Sequence, residues 1–584
     1  MAVLPISEAI IQQQATPQSF DRGEDYYLRG AVIDLVQRGQ SLYAEVEGSE
    51  VTPYRVSLAF DAGGVTDARC TCPYDYGGWC KHIVAAALRW VRQPDEIEVR
   101  PTLAQLLDRL NLLQTQGLVQ ALVADRPELI DAVDRYALRL SNPAPPRQTP
   151  QRRTVLDVAP LRRQTRQILR EGLRYLEEGY EDDPFTEELG EIVEKAQAFA
   201  QQGDGNSAIA ILEAITAACA DEWDEMLDYG GDSFELDRML DEAWTEAILS
   251  ANLLAPEKTD LGVMLEEWQE ALDADFSMSL AALQQGWDDP QLQQAMAGAG
   301  YSDPERLDPP FAQNLALIRL QILDRQGRQQ EYLNLARTEG LTLQYLTRLA
   351  ELGQIDEAMQ AAQTQMSTAE EALALAQTLR QSEYLTEALA IAQAGLPLPG
   401  RSRYDLATWT SELAEGLKHT DIALEASRVA FGVRPSLADY QRVARLAESQ
   451  WDRIKPDLLT ALRQANPWDA QAAKVDIFIH EGLVDDAIQA VQADTYYRSE
   501  LVHRVMAAAV VHRPDWVIQS ARQRAEPIMD GGKADRYSEA VRWLKHARDA
   551  FQQAEQSAEW TAYFNQLKST HARKRKLIDL FKQL

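Results

Sequence analysis

The sequence predicts a mainly α-helical protein with a small antiparallel β-sheet near its N-terminus. Two observations favour this fold class. Four short stretches between residues 31 and 72 alternate apolar and polar side chains, the period of a half-buried strand. From about residue 100 onward, apolar residues recur at helical spacing, interrupted only by short Gly, Pro and Asp breaks. With 584 residues, the chain has room for several domains or one long repeat array.

The predicted strands are "AVIDLVQRG", "SLYAEVEG", "PYRVSLAFD" and "GVTDARCTC", and a short helix, "ISEAIIQQQA", precedes them. We expect Cys70 and Cys72 on the last strand, with both side chains on one face because strand side chains alternate. The next segment, "CKHIVAAALRWVRQ", has the pattern of a helix. Its predicted inner face consists of Ile83, Val84, Ala87, Leu88 and Val91.

Four ranges describe the predicted domain organisation. Residues 1–97 form the sheet-containing module, and residues 98–140 form a helical extension. The four prolines of "SNPAPPRQTPQRRT" predict a linker over residues 141–153. Residues 154–584 form a long helical region.

A weak internal repeat runs through that helical region. Ala358, Ala388 and Ala487 each occupy the same place in an apolar–x–x–Ala–apolar pattern. In "LAELGQIDEAMQAA" and "IHEGLVDDAIQAV", a glycine and an acidic pair precede the alanine, an arrangement similar to the middle of a tetratricopeptide-type repeat. We predict an irregular solenoid of helical hairpins, and an ordinary large α-helical bundle remains the alternative.

The charge of the chain disfavours polyanionic partners. The formal net charge is −32, and the stretch 177–246 alone carries 22 acidic and two basic residues. Such a stretch would repel a phosphate backbone. Residues 1–94 are only mildly acidic, with 8 basic and 11 acidic side chains. Charge therefore gives nucleic-acid binding no support, although it does not exclude it.

The apolar segments predict a soluble protein. No apolar run approaches the roughly 20 residues that span a bilayer, and the N-terminal segment lacks the pattern of a secretory signal. The four cysteines are too few for a disulfide scaffold. We therefore expect a cytoplasmic protein, in which clustered cysteines indicate metal binding or catalysis.

Three of the four cysteines and one histidine fall within thirteen positions, in "CTCPYDYGGWCKH". Cys70, Cys72, Cys80 and His82 are predicted to converge from a strand end and a helix start on one tetrahedral Zn²⁺. Three thiolates and one imidazole fill all four positions, so the site is structural and not hydrolytic. A Cys70–Cys72 disulfide would be strained, a catalytic cysteine would leave two thiols unexplained, and an iron–sulfur cluster usually takes four thiolates.

This Cys-x-Cys, loop, Cys-x-His pattern resembles the SWIM zinc finger, and residues 15–95 resemble bacterial SWIM zinc finger family proteins in particular. The resemblance implies a zinc module used for protein or DNA interaction. The wider family includes transposase-like proteins, chromatin-remodelling-type ATPases, recombination accessory factors and ubiquitin-ligase adaptors. For bacterial members it implies partnership with Swi/Snf-type helicase-like ATPases.

Other reactive side chains are predicted to be structural. Cys219 lies on an apolar helix face and is interpreted as a buried bystander. The basic cluster 573–576 could contact phosphates, but a solvated helix end that complements the helix dipole is the favoured interpretation. The acidic stretch could bind a divalent cation or a basic partner, but a solvated helix face plus loop is the favoured interpretation. The remaining histidines lack metal spacing: His419, His480, His503, His512, His546 and His571.

We therefore expect a non-enzymatic adaptor with no small-molecule substrate, in which a zinc-stapled module is joined to a protein-binding α-solenoid. No constellation supplies a nucleophile, a base or an open metal site. The alternative is a nucleic-acid-binding accessory factor. In that case the loop aromatics would stack on bases, and Arg69, Lys81 and Arg89 would contact phosphates.

Overall fold

The structure of the chain is a computed structural model. It describes residues 6–126, 129–130, 133, 156–178, 185–228, 234–299, 309–492, 499–532 and 534–584. The linker predicted at 141–153 lies outside these residues. The four predicted domain ranges stay a prediction.

The N-terminal sheet follows the predicted strands closely. Its strands are β1 Val32–Arg38, β2 Ser41–Val46, β3 Tyr54–Asp61, β4 Gly64–Cys70 and β5 Glu98–Val99. The spatial order is β4-β3-β2-β1-β5. Strands β1 to β4 pair antiparallel as expected, but β5 pairs parallel with β1, so the sheet is mixed and not purely antiparallel. The two-residue strand β5 is too short to show an alternating pattern in the sequence.

Helix α3 Lys81–Arg92 packs against this sheet, and α1 Glu8–Gln14 and α2 Pro17–Leu28 pack against α3. Helix α3 was predicted, and it is buried from His82 through Leu88, so more of its circumference is covered than the predicted face. Helix α2 was not predicted. Its signal is local, because the Thr16 hydroxyl accepts a hydrogen bond from the Ser19 amide and Pro17 occupies the first turn.

The rest of the described chain is helical apart from short connections. The α-helices are α4 Leu103–Leu107, α5 Leu112–Asp125, α6 Ala159–Glu177, α7 Thr186–Gln201, α8 Gly205–Asp228, α9 Phe234–Ser250, α10 Ala255–Leu272, α11 Ser277–Gln285, α12 Pro290–Met296, α13 Ala312–Arg325, α14 Gln329–Thr338, α15 Thr342–Glu351, α16 Ile355–Gln365, α17 Ala369–Gln381, α18 Leu385–Gly395, α19 Arg403–Gly416, α20 Thr420–Val433, α21 Leu437–Ala447, α22 Trp451–Gln464, α23 Pro467–His480, α24 Val484–Gln492, α25 Ser499–Ala509, α26 Pro514–Asp530, α27 Tyr537–Gln553, α28 Ser557–Thr570 and α29 Arg575–Leu580. None of the described helices is long and apolar enough to cross a membrane.

The chain forms two compact units. Residues 1–108 and 367–584 belong to the first unit, and residues 109–366 belong to the second. The second unit has a core of interlocking helices around Trp223 and Trp244, both fully buried. Within this core the Trp244 indole donates a hydrogen bond to the Thr216 hydroxyl at 3.0 Å.

The alanines of the predicted repeat are fully buried. Ala358, Ala388 and Ala487 lie in α16, α18 and α24, with at most 1% of each residue exposed. Gly353 and Gly482, which precede two of these helices, have φ values of +74° and +70°. A left-handed backbone of this kind favours glycine, in agreement with the glycine that precedes the alanine in both repeat segments. The solenoid arrangement itself stays a prediction.

In the first unit, residues 6–65 of the N-terminal module contact helices α17, α19 and α21. The turn between β3 and β4 contacts α19, and the side chain of Asp61 forms an ion pair with Arg380 of α17. Helix α1 contributes Gln13, whose side chain accepts a hydrogen bond from Arg442 of α21 at 3.1 Å. We call this contact between residues 6–65 and helices α17, α19 and α21 the seam.

Candidate metal centre

The predicted ligands lie at the end of strand β4, in the bend that follows it and at the start of helix α3. Strand β4 ends at Cys70, and Cys80 is the extended residue immediately before α3, where His82 lies in the first turn. Cys72 was expected on the strand, but it lies in the bend that follows. The strand pairing ends near Thr71, whose amide donates to the Arg55 carbonyl at 3.1 Å. The chain can therefore turn Cys72 toward the same point without following the alternation of a strand.

The structure brings the four predicted residues together. The ligating atoms of Cys70, Cys72, Cys80 and His82 all lie within 4.8 Å of one another. The His82 Nδ1 atom is 3.7 Å from the Cys70 sulfur and 4.0 Å from the Cys80 sulfur. In a tetrahedral zinc site, bonds of about 2.3 Å to sulfur and about 2.0 Å to nitrogen separate these atoms by about 3.6 Å. All four cysteines of the chain are free thiols.

Aromatic side chains hold the His82 ring in place. Tyr54 stacks on it with ring centroids 4.5 Å apart, and Tyr26 meets its edge at 5.4 Å. The Nε2 atom is buried and has no hydrogen-bond partner among the described residues. A neutral ring that carries its proton on Nε2 leaves the Nδ1 lone pair free for a metal. Packing against the two tyrosine rings thus orients His82. In many other metal sites, a carboxylate orients the histidine ligand through a hydrogen bond.

The neighbouring thiols of Cys70 and Cys80 shift each other's pKa in opposite directions. A hydrogen bond from Cys70 lowers the pKa of Cys80 to about 4, and His82 reinforces the effect. The same contact with Cys80 raises the pKa of Cys70, and burial raises that of Cys72. Three sulfurs so close together cannot all ionise without a cation, so this donor set is matched to a thiophilic divalent metal.

The loop between the two pairs of ligands is fixed at its C-terminal end. Gly78 adopts a φ of +70°, and a β-carbon there would lie 2.7 Å from the carbonyl oxygen of Gln14. The following amide, that of Trp79, donates to the same carbonyl at 2.7 Å. The Trp79 side chain is buried in the core of the module, with 7% exposed.

The two loop tyrosines differ from Trp79 and from each other. Tyr74 is half-buried, and its hydroxyl accepts a hydrogen bond from Ser19 at 3.0 Å. Tyr76 packs edge-on against Tyr74 but keeps 83% of its surface exposed. The loop therefore presents one aromatic ring to solvent and uses the other two to hold itself in place.

The three cations proposed for phosphate contact have different surroundings. Arg69 is 79% exposed and pairs with Asp67 at 2.9 Å. The Lys81 ammonium lies over the Tyr26 ring at 4.7 Å. The Arg89 guanidinium donates to the Val32 carbonyl within the module, so it is already engaged.

Cys219 and the basic cluster 573–576 lie outside the predicted metal site. Cys219 is fully buried in α8, and burial raises its pKa to about 12, as expected of a bystander thiol. The dipole interpretation of the basic C-terminal cluster is wrong, because Arg575 and Lys576 open helix α29 and do not end a helix. Lys574 donates instead to the Met529 carbonyl at the end of α26.

The sequence reasoning missed a pair of histidines. His503 of α25 and His546 of α27 approach within 3.1 Å, Nδ1 to Nε2, and His503 stacks on Trp543 with centroids 3.5 Å apart. Burial lowers the pKa of His503 to about 4 and also lowers that of His546. The two residues are 43 positions apart, so sequence spacing could not reveal the pair.

The module carries a closed Cys₃His cluster, formed by the end of a strand, the bend after it and the start of a helix. This arrangement is that of a zinc finger. Residues 54–90 match the family model of the SWIM zinc finger, so this part of the chain is similar to SWIM zinc fingers. The chain is also similar to a zinc finger SWIM domain-containing protein 8 homologue from Drosophila melanogaster, with 31% identity over 117 residues. The similarity covers 20% of this chain and 6% of the length of that relative.

The cluster thus fits a structural Zn²⁺ site. Its four ligands, Cys70, Cys72, Cys80 and His82, would satisfy a tetrahedral ion completely. A bound ion would join the end of β4 to the start of α3 and supply charge compensation for three thiolates. Zinc binding by this module agrees with the expectation from the sequence.

Proposed function

We propose that this chain is a non-enzymatic adaptor that binds a protein partner, with the zinc finger as a structural support for part of the binding surface. The observation that carries the proposal is the placement of Tyr76. Its ring is 83% exposed, although it lies in a loop held by ligands on both sides and by buried Trp79. An exposed aromatic ring on a rigid support is a typical anchor of protein interfaces.

A second exposed surface supports the same proposal. Helix α5 buries none of its side chains against the described residues, and its sequence carries no charge before Asp125. Leu112 and Leu113 are 74% and 78% exposed. An uncharged, exposed helix is typical of a surface that a partner covers.

The test is quantitative crosslinking in the native cell, followed by mass spectrometry, with the full chain carrying a Tyr76→Ala substitution. Full-length protein is required because residues 1–108 and 367–584 form one compact unit. We expect one or more proteins to crosslink to the wild type and to be depleted in the variant. Tyr43→Ala, which removes another partly exposed tyrosine of the same module (46% exposed), is the matched control. Equal recovery with Tyr76→Ala would contradict a role for this loop.

Nucleic-acid binding with a Swi/Snf-type ATPase is the alternative, and exposed Arg69 beside Cys70 is the observation that favours it. A gel shift with the full chain at low and high salt tests it. Binding that weakens with salt and is reduced by Arg69→Gln would support this function in place of the adaptor role. Because Arg89 donates within the module, Arg89→Gln should change stability more than affinity.

Three further expectations belong to the same proposal. A closed four-ligand site leaves no position for substrate, which supports the absence of enzymatic activity at the metal. Free thiols in a zinc cluster suit a reducing compartment, so the cytoplasm is the expected location. A Swi/Snf-type ATPase is the partner that the family resemblance suggests, and its recovery in the crosslinking experiment is the direct check.

A further inference from the structure

The seam encloses a cavity of about 360 Å³ that neither the zinc site nor the adaptor proposal uses. Its walls come from α1, from the turn between β3 and β4, and from α17, α19 and α21. The apolar part is formed by Ile6, Ile10 and Val65. The charged residues that line it are Arg380, Glu412, Glu415, Lys418 and Arg442.

Arg380 and Glu415 are already paired, whereas the Lys418 ammonium forms no ion pair among the described residues. Arg380 forms a two-pronged ion pair with Asp61, at 2.7 and 2.9 Å. Glu415 accepts hydrogen bonds from Arg442 at 3.2 Å and from Arg445. Neither Arg380 nor Glu415 therefore presents an uncompensated charge to the cavity.

Glu412 is paired with Arg442 as well, but through one of its two oxygens only. Its Oε1 atom accepts one hydrogen bond, from the side-chain amide of Gln14 at 3.0 Å, and lies 3.6 Å from the Arg442 guanidinium. The second carboxylate oxygen has no hydrogen-bond partner among the described residues. The surrounding protein raises the pKa of this carboxyl by desolvation, yet 36% of the side chain remains accessible. A group that is enclosed by protein and still accessible faces the cavity.

We propose that the seam cavity binds a cationic hydrogen-bond donor, an ammonium or guanidinium group, carried on a short apolar stem. The donor would bond to the free oxygen of Glu412, and the stem would contact Ile6, Ile10 and Val65. A carboxylate held away from bulk water with one unused oxygen gains most from a charged donor. The apolar walls favour a stem of a few methylene groups.

Two sources carry this chemistry, a free alkylamine and the lysine or arginine side chain of a polypeptide. The cavity holds a group of either kind, and the two can be separated by experiment. The probes are n-butylammonium chloride for the free amine and an acetylated, amidated Leu-Lys-Leu tripeptide for the side chain. The neutral control of similar size is 1-pentanol.

The experiment is a titration of the zinc-loaded full chain, followed by saturation-transfer NMR and calorimetry. We expect n-butylammonium, the tripeptide or both to bind, and 1-pentanol to bind at least about tenfold more weakly, because its hydroxyl donates to Glu412 without a positive charge. Glu412→Gln should weaken the cationic probes by about tenfold or more. Glu425→Gln, on the exposed face of neighbouring α20, should leave them unchanged.

A second variant shows whether weaker binding results from a change in the cavity or from a general loss of structure. Ile10→Phe narrows the cavity without altering the carboxylate, and it should weaken the cationic probes and 1-pentanol together. Zinc content and melting temperature are measured for each variant, so that only folded protein is compared. The proposal would be overturned if the amine bound equally well to wild type and to folded Glu412→Gln. It would also be overturned if neither cationic probe bound at 10 mM, a concentration on the order of the weakest dissociation constants of small ligands.

Discussion

The carbonyl oxygen of Gly63 lies directly against the Cα of Gly416, and a β-carbon built on Gly416 would be 2.0 Å from that oxygen. The two backbones meet where the turn between β3 and β4 contacts the end of α19. A methyl group at this point has no flexible neighbour to displace. The close approach fixes how the sheet module docks on the helices of the first unit.

Replacing Gly416 with alanine should therefore destabilise the protein by about 1–3 kcal/mol, the usual cost of overpacking. The measurement is urea-induced unfolding followed by circular dichroism. Gly432→Ala is the control, because Gly432 is also helical and a β-carbon there meets nothing within 4 Å. That substitution should be neutral or stabilising by up to about 1 kcal/mol. Equal destabilisation by both substitutions would show that the contact with Gly63 is not the cause.

Breaking the ion pair across the seam should also be costly. The side chains of Asp61 and Arg380 are only 18% and 11% exposed. Asp61→Asn leaves a largely buried guanidinium without its counter-charge, and we expect a loss of about 3 kcal/mol in unfolding free energy. Asp579→Asn removes a pair that is 70% and 76% exposed, so it should cost less than about 1 kcal/mol. Similar effects of the two variants in urea titrations would contradict the structural role assigned to Asp61.

The glycine pair in the metal loop offers a matched comparison. Gly77 and Gly78 both have positive φ, but only Gly78 would bring a β-carbon within 2.7 Å of the Gln14 carbonyl. Gly77→Ala should cost about 1 kcal/mol from backbone strain alone. Gly78→Ala should cost more and should also weaken zinc retention in a competition assay with a chromophoric chelator. Identical zinc retention in the two variants would argue that the contact with Gln14 does not support the site.

Metal content tests the cluster directly. Purified wild-type protein should contain one equivalent of zinc, and Cys80→Ser should contain well under half an equivalent because a ligand is missing. Cys219→Ala is the control, since this thiol is fully buried elsewhere. Chelation should also change the fluorescence of Trp79, which is buried beside Cys80. Full zinc content in Cys80→Ser would rule out this residue as a ligand.

The histidine pair predicts how stability depends on pH. In the folded protein the pKa of His503 is lowered to about 4, from an ordinary value near 6.5. The unfolded chain binds more protons between these two values, so the unfolding free energy should fall as the pH decreases from about 6.5 toward 4. Burial is the largest cause of this shift; Arg542, His546 and Arg524 also oppose the charged form, whereas Glu500 favours it.

The measurement is urea unfolding at several pH values between 7 and 4.5. His503→Phe keeps an aromatic ring against Trp543 but removes the titration, so its stability should vary less steeply with pH than that of the wild type. His512→Gln, at an exposed position, should follow the wild-type curve. An unchanged slope in His503→Phe would assign the acid sensitivity to other groups.

Local patterns in the sequence were enough to predict the sheet and the metal site. The four long strands agree with their predicted segments, and β2 and β3 show the alternation of buried and more exposed side chains most clearly. The Cys₃His cluster was predictable because its ligands lie close together in sequence on either side of one loop. The mixed sheet could not be anticipated, since the two residues of β5 carry no periodic signal.

Features formed by distant residues were not predictable in the same way. The pairing of His503 with His546 and the free carboxylate of Glu412 depend on which helices become neighbours. The basic C-terminal cluster was assigned to the wrong end of a helix, because α28 ends at Thr570 and Lys574 is the N-cap residue of α29. The partners of these residues are fixed by packing between helices that are distant in sequence.

The ion pair between Asp61 and Arg380 has a consequence for protein synthesis. The two residues are separated by 319 positions, so a ribosome that adds 5–20 residues per second makes Arg380 roughly 15 to 60 s after Asp61. During that interval the sheet module is exposed to the cell with its docking surface uncovered. The nascent chain therefore passes through a stage in which this surface is open to chaperones and premature contacts, and the module reaches its final surroundings only late in translation.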